Sequence, residues 1–355
     1  MQVQTKYLSP LAVGLAPYVP GEQPTDRRYI KLNTNESPYP PAPGVLAAIQ
    51  RQVPGLALYP DPDARALCRS LAALHGLAAD QVYAGNGSDE VLAFAFAAFF
   101  AGKTLLAPDL TYSFYPIFAK FYGVDYRQIP VAADFSIDPQ GLCAGHAVIL
   151  ANPNAPTSLA LPLANIRHLA RHCHDPGRVL LVDEAYGPFG GESAIPLIVD
   201  FDNLLVVRTF SKAHGLAGLR LGYALGQPAL IDGLRRIRDC VNSYPVDSLA
   251  QAAAQAAAED TDYLADTVRK VLATRTRFAG ALAALGFTVL PSATNFVFAR
   301  HPAHSGEALQ AALRRRGVLV RRFPGTRTED WLRISIGSDA DMDEVLAMLN
   351  ALIRP

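Results

Sequence analysis

The sequence predicts an α/β protein: a three-layer large domain whose mostly parallel sheet carries helices on both faces, a smaller α+β C-terminal domain, and an N-terminal arm. Three observations carry this reading. From about residue 45, helical patterns alternate with short apolar runs, as in strands buried under helices on both sides. After Gly286 the order changes to strand, strand, helix, strand, strand, helix. A chain of 355 residues also exceeds the usual size of one compact domain.

Residues 1–44 are rich in Pro, Tyr and Asn without helical periodicity, and predict an extended arm that must lie on another surface. Residues 45–250 form the large domain. Its apolar runs are Leu105–Ala107, Val124–Ile129, Ala147–Ala151, Val179–Val182, Leu204–Val207 and Leu221–Ala224. Ligands of such sheets sit beyond the carboxyl ends of the strands, and Asn152, Asp183 and Thr209 fall at or just after three of those ends. The Ala-rich stretch from Ser248 to about Ala284 reads as one or two long helices, so residues 251–285 connect to the small domain, 286–355. There the strands are Thr288–Leu290, Asn295–Ala299, Val318–Arg321 and Trp331–Ile336, with helices over Glu307–Arg316 and Asp341–Ile353.

Composition excludes several classes of partner. The 32 basic residues balance 32 acidic ones, which leaves no field to attract nucleic acid or anionic lipid. Cysteines 68, 143, 173 and 240 form no CxxC pair, which argues against a zinc cage or a disulfide framework and for a reducing, cytoplasmic setting. The first residues do not read as a signal peptide, and the longest near-apolar run, Val91–Ala101, is too short to span a bilayer. His168, His172 and His174 have metal-like spacing but read as a solvated helix end, so no metal is expected.

The chemistry concentrates in four motifs. Thr209 to Gly222 reads Thr-Phe-Ser-Lys-Ala-His-Gly-Leu-Ala-Gly-Leu-Arg-Leu-Gly. Small neighbours let a flat cofactor approach the backbone, Lys212 can condense with an aldehyde, and Arg220 can hold a phosphate. Asp183-Glu184-Ala185-Tyr186 follows a strand, so Asp183 either caps the next helix or faces a pocket, where it would keep a heteroaromatic ring nitrogen protonated. Gly85-Asn86-Gly87-Ser88-Asp89-Glu90 opens a helix whose backbone N–H groups can meet an anion. It is not a dinucleotide fingerprint, since Glu90 stands where the third glycine belongs. Ala97–Thr104 resembles a phosphate loop in letters only: it ends a helix and enters a strand, the reverse of the required order.

Taken in order, Gly87-Ser88-Asp89, Asn152-Pro153-Asn154-Ala155-Pro156-Thr157, Asp183-Glu184-Ala185-Tyr186, Ser211-Lys212 with Arg220, and Leu332-Arg333-Ile334-Ser335 resemble the fold-type I pyridoxal-phosphate-dependent aminotransferases. Within them, Leu32-Asn33-Thr34-Asn35-Glu36-Ser37-Pro38 and Tyr59-Pro60 are similar to the histidinol-phosphate aminotransferase family. The resemblance runs from about Tyr18 to Leu352.

That resemblance implies pyridoxal 5'-phosphate as cofactor, with Lys212 carrying it as a Schiff base and moving the substrate's α-proton. It implies Asp183 on the pyridine nitrogen, Tyr186 on the ring oxygen and Tyr112 stacked on the ring. Arg220, Ser211, Thr209 and the turn of Gly87, Ser88 and Asp89 would hold the phosphate, joined by Tyr59 of a partner subunit in a homodimer. Arg333 and Arg321 would grip the anionic group of the amino donor and of the 2-oxo acid, with Tyr18 and Asn35 completing the pocket. The family often carries Asn-Asn-Pro-Thr-Gly where this chain has Asn154-Ala155-Pro156-Thr157-Ser158. Losing the asparagine's hydrogen bond to a charged ring oxygen costs roughly 1.5–3 kcal/mol unless Tyr186 suffices or Asn154 shifts to help. The implied reaction is a ping-pong transfer between histidinol phosphate and 2-oxoglutarate in histidine biosynthesis. An aromatic amino-acid aminotransferase and a phosphothreonine decarboxylase share these requirements. An effector-binding module of a transcription regulator would need a basic DNA-binding segment that the arm does not supply.

Overall fold

The structure, a computed structural model, describes residues 5–174 and 177–354. The larger sheet has seven strands: β2 (Val82–Gly85), β3 (Thr104–Pro108), β4 (Asp125–Ile129), β5 (Ala147–Ala151), β6 (Leu180–Asp183), β7 (Leu204–Thr209) and β8 (Gly222–Leu225), in the order β2-β8-β7-β6-β5-β3-β4. β3 to β7 are parallel, while β8 runs antiparallel to both its neighbours, β7 and β2.

Alternation along these strands builds two cores. Val148 and Leu150 of β5, Leu180 and Val182 of β6, and Leu204 and Val206 of β7 pack on one face with Leu71, Ile166, Leu169 and Ala253. Ala147, Ile149, Leu181, Leu205 and Val207 pack on the other with Phe96, Phe100, Tyr115, Ile231 and Leu234. Burial on both faces is why the runs are continuously apolar, and it makes the expected three layers.

Two strands escaped the sequence reading. β2 lies at the edge of the large sheet, and β1 (Ile30–Leu32) sits within the arm, which also holds a short helix, Pro10–Gly14. β1 pairs in parallel with β11 (Val318–Arg322) in a five-stranded sheet ordered β1-β11-β12-β10-β9, where β9 is Thr288–Val289, β10 Phe296–Arg300 and β12 Leu332–Ser335. Three residues carry too little periodicity to mark a strand, so only the pairing reveals β1. The Ala-rich stretch forms two helices, Ser248–Glu259 and Thr261–Ala284, divided at Asp260, whose carboxylate caps the second by accepting from the Tyr263 N–H.

Register fixes where the polar residues meet. Thr209 and Gly85 each pair with Gly222, Ala151 pairs with Asp183, and Asp183 with Val207, so these strand ends and Arg220 share one edge of the sheet. Gly222 has to be glycine here, because a Cβ would stand 2.3 Å from the Ser88 nitrogen.

Candidate active site

Over that edge opens a cavity of about 240 Å³ lined by Ser88, Asp89, Tyr112, Asp183, Tyr186, Thr209, Ser211, Lys212 and Arg220, together with Gln23, Thr34, Glu36 and Ala155. Lys212 enters from the loop after β7, and its Nζ donates to the Thr34 carbonyl at 2.9 Å. Burial, reinforced by the positive charge of Arg333, brings its pKa down to about 8. Asp183 ends β6 with its side chain buried. Its Oδ2 accepts from the Tyr115 hydroxyl at 2.9 Å and its Oδ1 from the Ala185 N–H at 3.1 Å. Burial outweighs both bonds and pushes its pKa up to about 6. A readily deprotonated amine and a buried carboxylate thus share one cavity.

The far end of the cavity is a cationic cup. The turn after β2 passes into the helix Ser88–Ala95, whose first N–H groups have no intrahelical partners. Arg220, in the left-handed region at φ 52°, sends its guanidinium beside this turn, 3.5 Å from Ser211 Oγ and 3.4 Å from Asp89 Oδ2. A Cβ on Gly87, which sits at φ 87°, would stand 2.7 Å from Arg220 Nη2. Thr209 Oγ1 accepts from the Ser211 N–H at 3.1 Å and fixes the loop. Tyr112 donates to Asp89 Oδ1 at 2.9 Å and meets Tyr115 edge to face. The Asp89 carboxylate is therefore occupied by Tyr112 and Arg220, which leaves its backbone N–H as the group suited to an anion.

On the small sheet, Arg321 and Arg333 are direct cross-strand partners and share a face, whereas Arg322 points to the other face toward Glu307. Arg321 and not Arg322 therefore shares the face of Arg333, although Arg321, Arg333 and Tyr18 are not among the residues that line the cavity itself. Arg333 lies over the rings of Phe296 and Phe323, donates one bond to the Asn33 carbonyl at 3.0 Å, and keeps its Nε without a partner. Arg321 donates to the Val19 carbonyl at 3.3 Å, and Tyr18 packs on Phe114 with ring centroids 4.7 Å apart.

Asn154 and Asn35 come out differently from expectation. Asn154 is turned away from the cavity: its carboxamide donates to the Leu110 carbonyl and Thr157 Oγ1 and accepts from Thr111, so it does not replace the asparagine missing at 155. Asn35 is buried behind Tyr186, to whose hydroxyl it donates at 2.8 Å, rather than lining the cavity. Tyr59, whose expected contact is with a partner subunit and not with its own chain's cavity, is exposed here and stacked on Tyr244. Tyr115 was missed because in sequence it is one more aromatic of an apolar helix. The three histidines diverge, His168 to Gln140, His172 to the Gly145 N–H and His174 to Asp202, and no His/Cys/Asp/Glu group among the described residues is arranged for a metal.

A buried lysine and aspartate over the carboxyl edge of such a sheet, with an arginine cup beside them, define an aminotransferase-type site. The profile of the aminotransferase class I and II family matches residues 27–349, and the chain belongs to that family. Among its relatives, the histidinol-phosphate aminotransferase of Acetobacter pasteurianus is 51% identical over 354 residues, covering 98% of each chain. The crystal structure of histidinol-phosphate aminotransferase from Sinorhizobium meliloti in complex with pyridoxal-5'-phosphate superposes with a TM-score of 0.89 at 30% identity, covering 98% of each chain. L-threonine-O-3-phosphate decarboxylase from Porphyromonas gingivalis shares the fold, with a TM-score of 0.78 over 92% of this chain and 100% of that one, at 22% identity.

Proposed function

We propose that the protein is a pyridoxal-phosphate-dependent transaminase that moves an amino group between histidinol phosphate and 2-oxoglutarate, in a ping-pong cycle serving histidine biosynthesis. One observation carries this reading: Lys212 and Asp183 face a single cavity with the Arg220 cup at its end, in a chain half identical throughout to histidinol-phosphate aminotransferases.

The residues fit that cofactor. The crowding of Gly87 against Arg220 leaves a close-set pocket of N–H donors and guanidinium suited to a phosphate dianion, and the buried Asp183 suits a ring nitrogen that stays protonated. Pyridoxal phosphate, when bound, supplies an aldehyde for an amine to attack and an electron-withdrawing ring that stabilises negative charge at the substrate's α-carbon. Lys212 would provide the attacking amine, and its free amine would carry the proton to and from that α-carbon. Tyr112 and Tyr186 line the cavity, where Tyr112 would cover the ring and Tyr186 would donate to the ring oxygen. Arg321 and Arg333 hold the anionic end of either substrate; the free Nε of Arg333 favours a two-pronged grip on a carboxylate or phosphate.

The likeness to the phosphothreonine decarboxylase is one of fold alone at 22% identity, so the transaminase reading is preferred. Steady-state turnover separates the candidates: histidinol phosphate is expected to react with 2-oxoglutarate far faster than phenylalanine does, and CO₂ release from phosphothreonine is expected to be absent. Strong turnover of phenylalanine with none of histidinol phosphate would overturn the substrate choice.

We also assign the chain to a cytoplasmic homodimer with no nucleic-acid or membrane partner. Four cysteines without a disulfide and a net charge of zero support this, and no described helix is long and apolar enough to cross a membrane. Exposed Leu58 and Tyr59 support a subunit interface through which Tyr59 reaches the partner's phosphate cup. The proposed division is arm 1–44, large domain 45–250, a connecting segment 251–285 that runs through two helices and not a single long helix, and small domain 286–355.

A further inference from the structure

The hydroxyl of Tyr186 is held from behind by a three-residue chain. Asn35 Nδ2 donates to Tyr186 Oη at 2.8 Å, and Ser335 Oγ donates to Asn35 Oδ1 at 2.8 Å. The Asn35 backbone N–H returns a bond to Ser335 Oγ at 2.9 Å, and the Asn35 carbonyl accepts from Asn295 Nδ2 at 3.0 Å. Asn35 and Ser335 are each 1% exposed, so water does not compete for these groups.

The acceptor available to Ser335 Oγ sets the direction of the chain. Asn35 Oδ1 is the acceptor that the Ser335 hydroxyl proton finds among the described residues, and a reversed carboxamide would leave that buried proton without one. That turns Oδ1 toward Ser335 and Nδ2 toward Tyr186. Nδ2 can only donate, so the Tyr186 oxygen accepts from it and the phenol proton is left for the cavity that Tyr186 lines. The backbone agrees with the choice of residue: Asn35 sits at φ 58°, a left-handed conformation that asparagine tolerates better than most side chains. On the cavity wall Ala155 offers no polar side-chain atom, and Asn154 is committed elsewhere.

We infer that Asn35 is a positioning residue for the reaction: with Ser335 it holds the Tyr186 hydroxyl as the single oriented side-chain donor to the cofactor's ring oxygen. Ser335 stands two residues after Arg333 on β12, hence on the same face, so one strand carries both the substrate-gripping guanidinium and the anchor of this donor. The inference rests on pyridoxal phosphate occupying the cavity.

The test is the pH midpoint of the visible absorbance change of the protein loaded with pyridoxal phosphate, followed in N35A, S335A, Y186F and N35A/Y186F. A donor to the ring oxygen stabilises its anion, so losing it raises the midpoint. Y186F is expected to raise it by about one unit or more, the size of a hydrogen bond to a charged group. N35A should shift it in the same direction by more than half of that, S335A by less, and N35A should add nothing in the Y186F background. A normal midpoint in N35A beside a shifted one in Y186F would confine Asn35 to a structural role and overturn the inference. An unshifted Y186F would remove Tyr186 from the ring oxygen and overturn it as well, and absence of any cofactor absorbance in the unmodified protein would instead overturn the cofactor assignment. If N35A does not fold, S335A decides: an unmoved midpoint there overturns the inference.

Discussion

Lys212 and Asp183 are each pushed toward the neutral form by burial, with opposite consequences for pH. The folded pKa of Lys212, about 8, lies below its ordinary 10.5, so its contribution to stability is complete above about 10.5 and is lost as pH falls through 8. For Asp183 the folded value of about 6 lies above 3.8, so its contribution is complete below 3.8 and is lost as pH rises through 6. Both statements concern the protein before cofactor binds. The uptake rate of pyridoxal phosphate, followed by stopped-flow absorbance, should therefore rise with pH around a midpoint near 8 rather than 10.5. K212A should lose that absorbance and at least ~10³-fold in transamination, since nucleophile and proton carrier go together. G87A tests the cup: a Cβ at φ 87° displaces Arg220, and the dissociation constant for pyridoxal phosphate should rise about tenfold, equivalent to about 1.4 kcal/mol.

Elements decide which side chains can act together. Because β11 and β12 set Arg321 opposite Arg333 while Arg322 turns to Glu307, R321A and R333A should each lower kcat/KM for histidinol phosphate by about 10- to 100-fold, whereas R322A should change it by less than about threefold. Equal losses in all three would mean that the charge of the strand matters and not its face. The joint of β8 with the turn before Ser88–Ala95 is tested by G222A. A Cβ 2.3 Å from a backbone nitrogen cannot be relieved by a rotamer change, so unfolding in denaturant should show a loss of about 2–3 kcal/mol, with cofactor affinity falling as the turn shifts.

At the scale of the whole molecule the exposed apolar surface is uneven. Leu56, Leu58, Tyr59 and Tyr244 are all exposed, and Leu58 and Tyr59 line one surface hollow with Ser248 and Gln251. Burying apolar side chains of this kind is what the proposed subunit interface would do. Sedimentation is expected to give a dimer, and Y59F should weaken cofactor binding severalfold with the dimer intact. A monomer with full cofactor affinity would remove the partner subunit from the site.

The α/β class, the strands that carry polar ends, and the association of Lys212, Asp183 and Arg220 were legible in the sequence itself. Continuous apolar runs require burial on both faces, and strands of a parallel sheet deliver their carboxyl ends to one edge whatever the details of packing. The tertiary structure alone decided that β1 pairs with β11, that Tyr115 supports Asp183, that Asn154 turns away, and that Asn35 lies behind Tyr186. Those outcomes rest on hydrogen bonds whose direction depends on segments as distant as residues 35, 186 and 335 meeting in space. A strand repeats its pattern every two residues and so announces itself in the sequence, whereas the orientation of one buried carboxamide has no period to read.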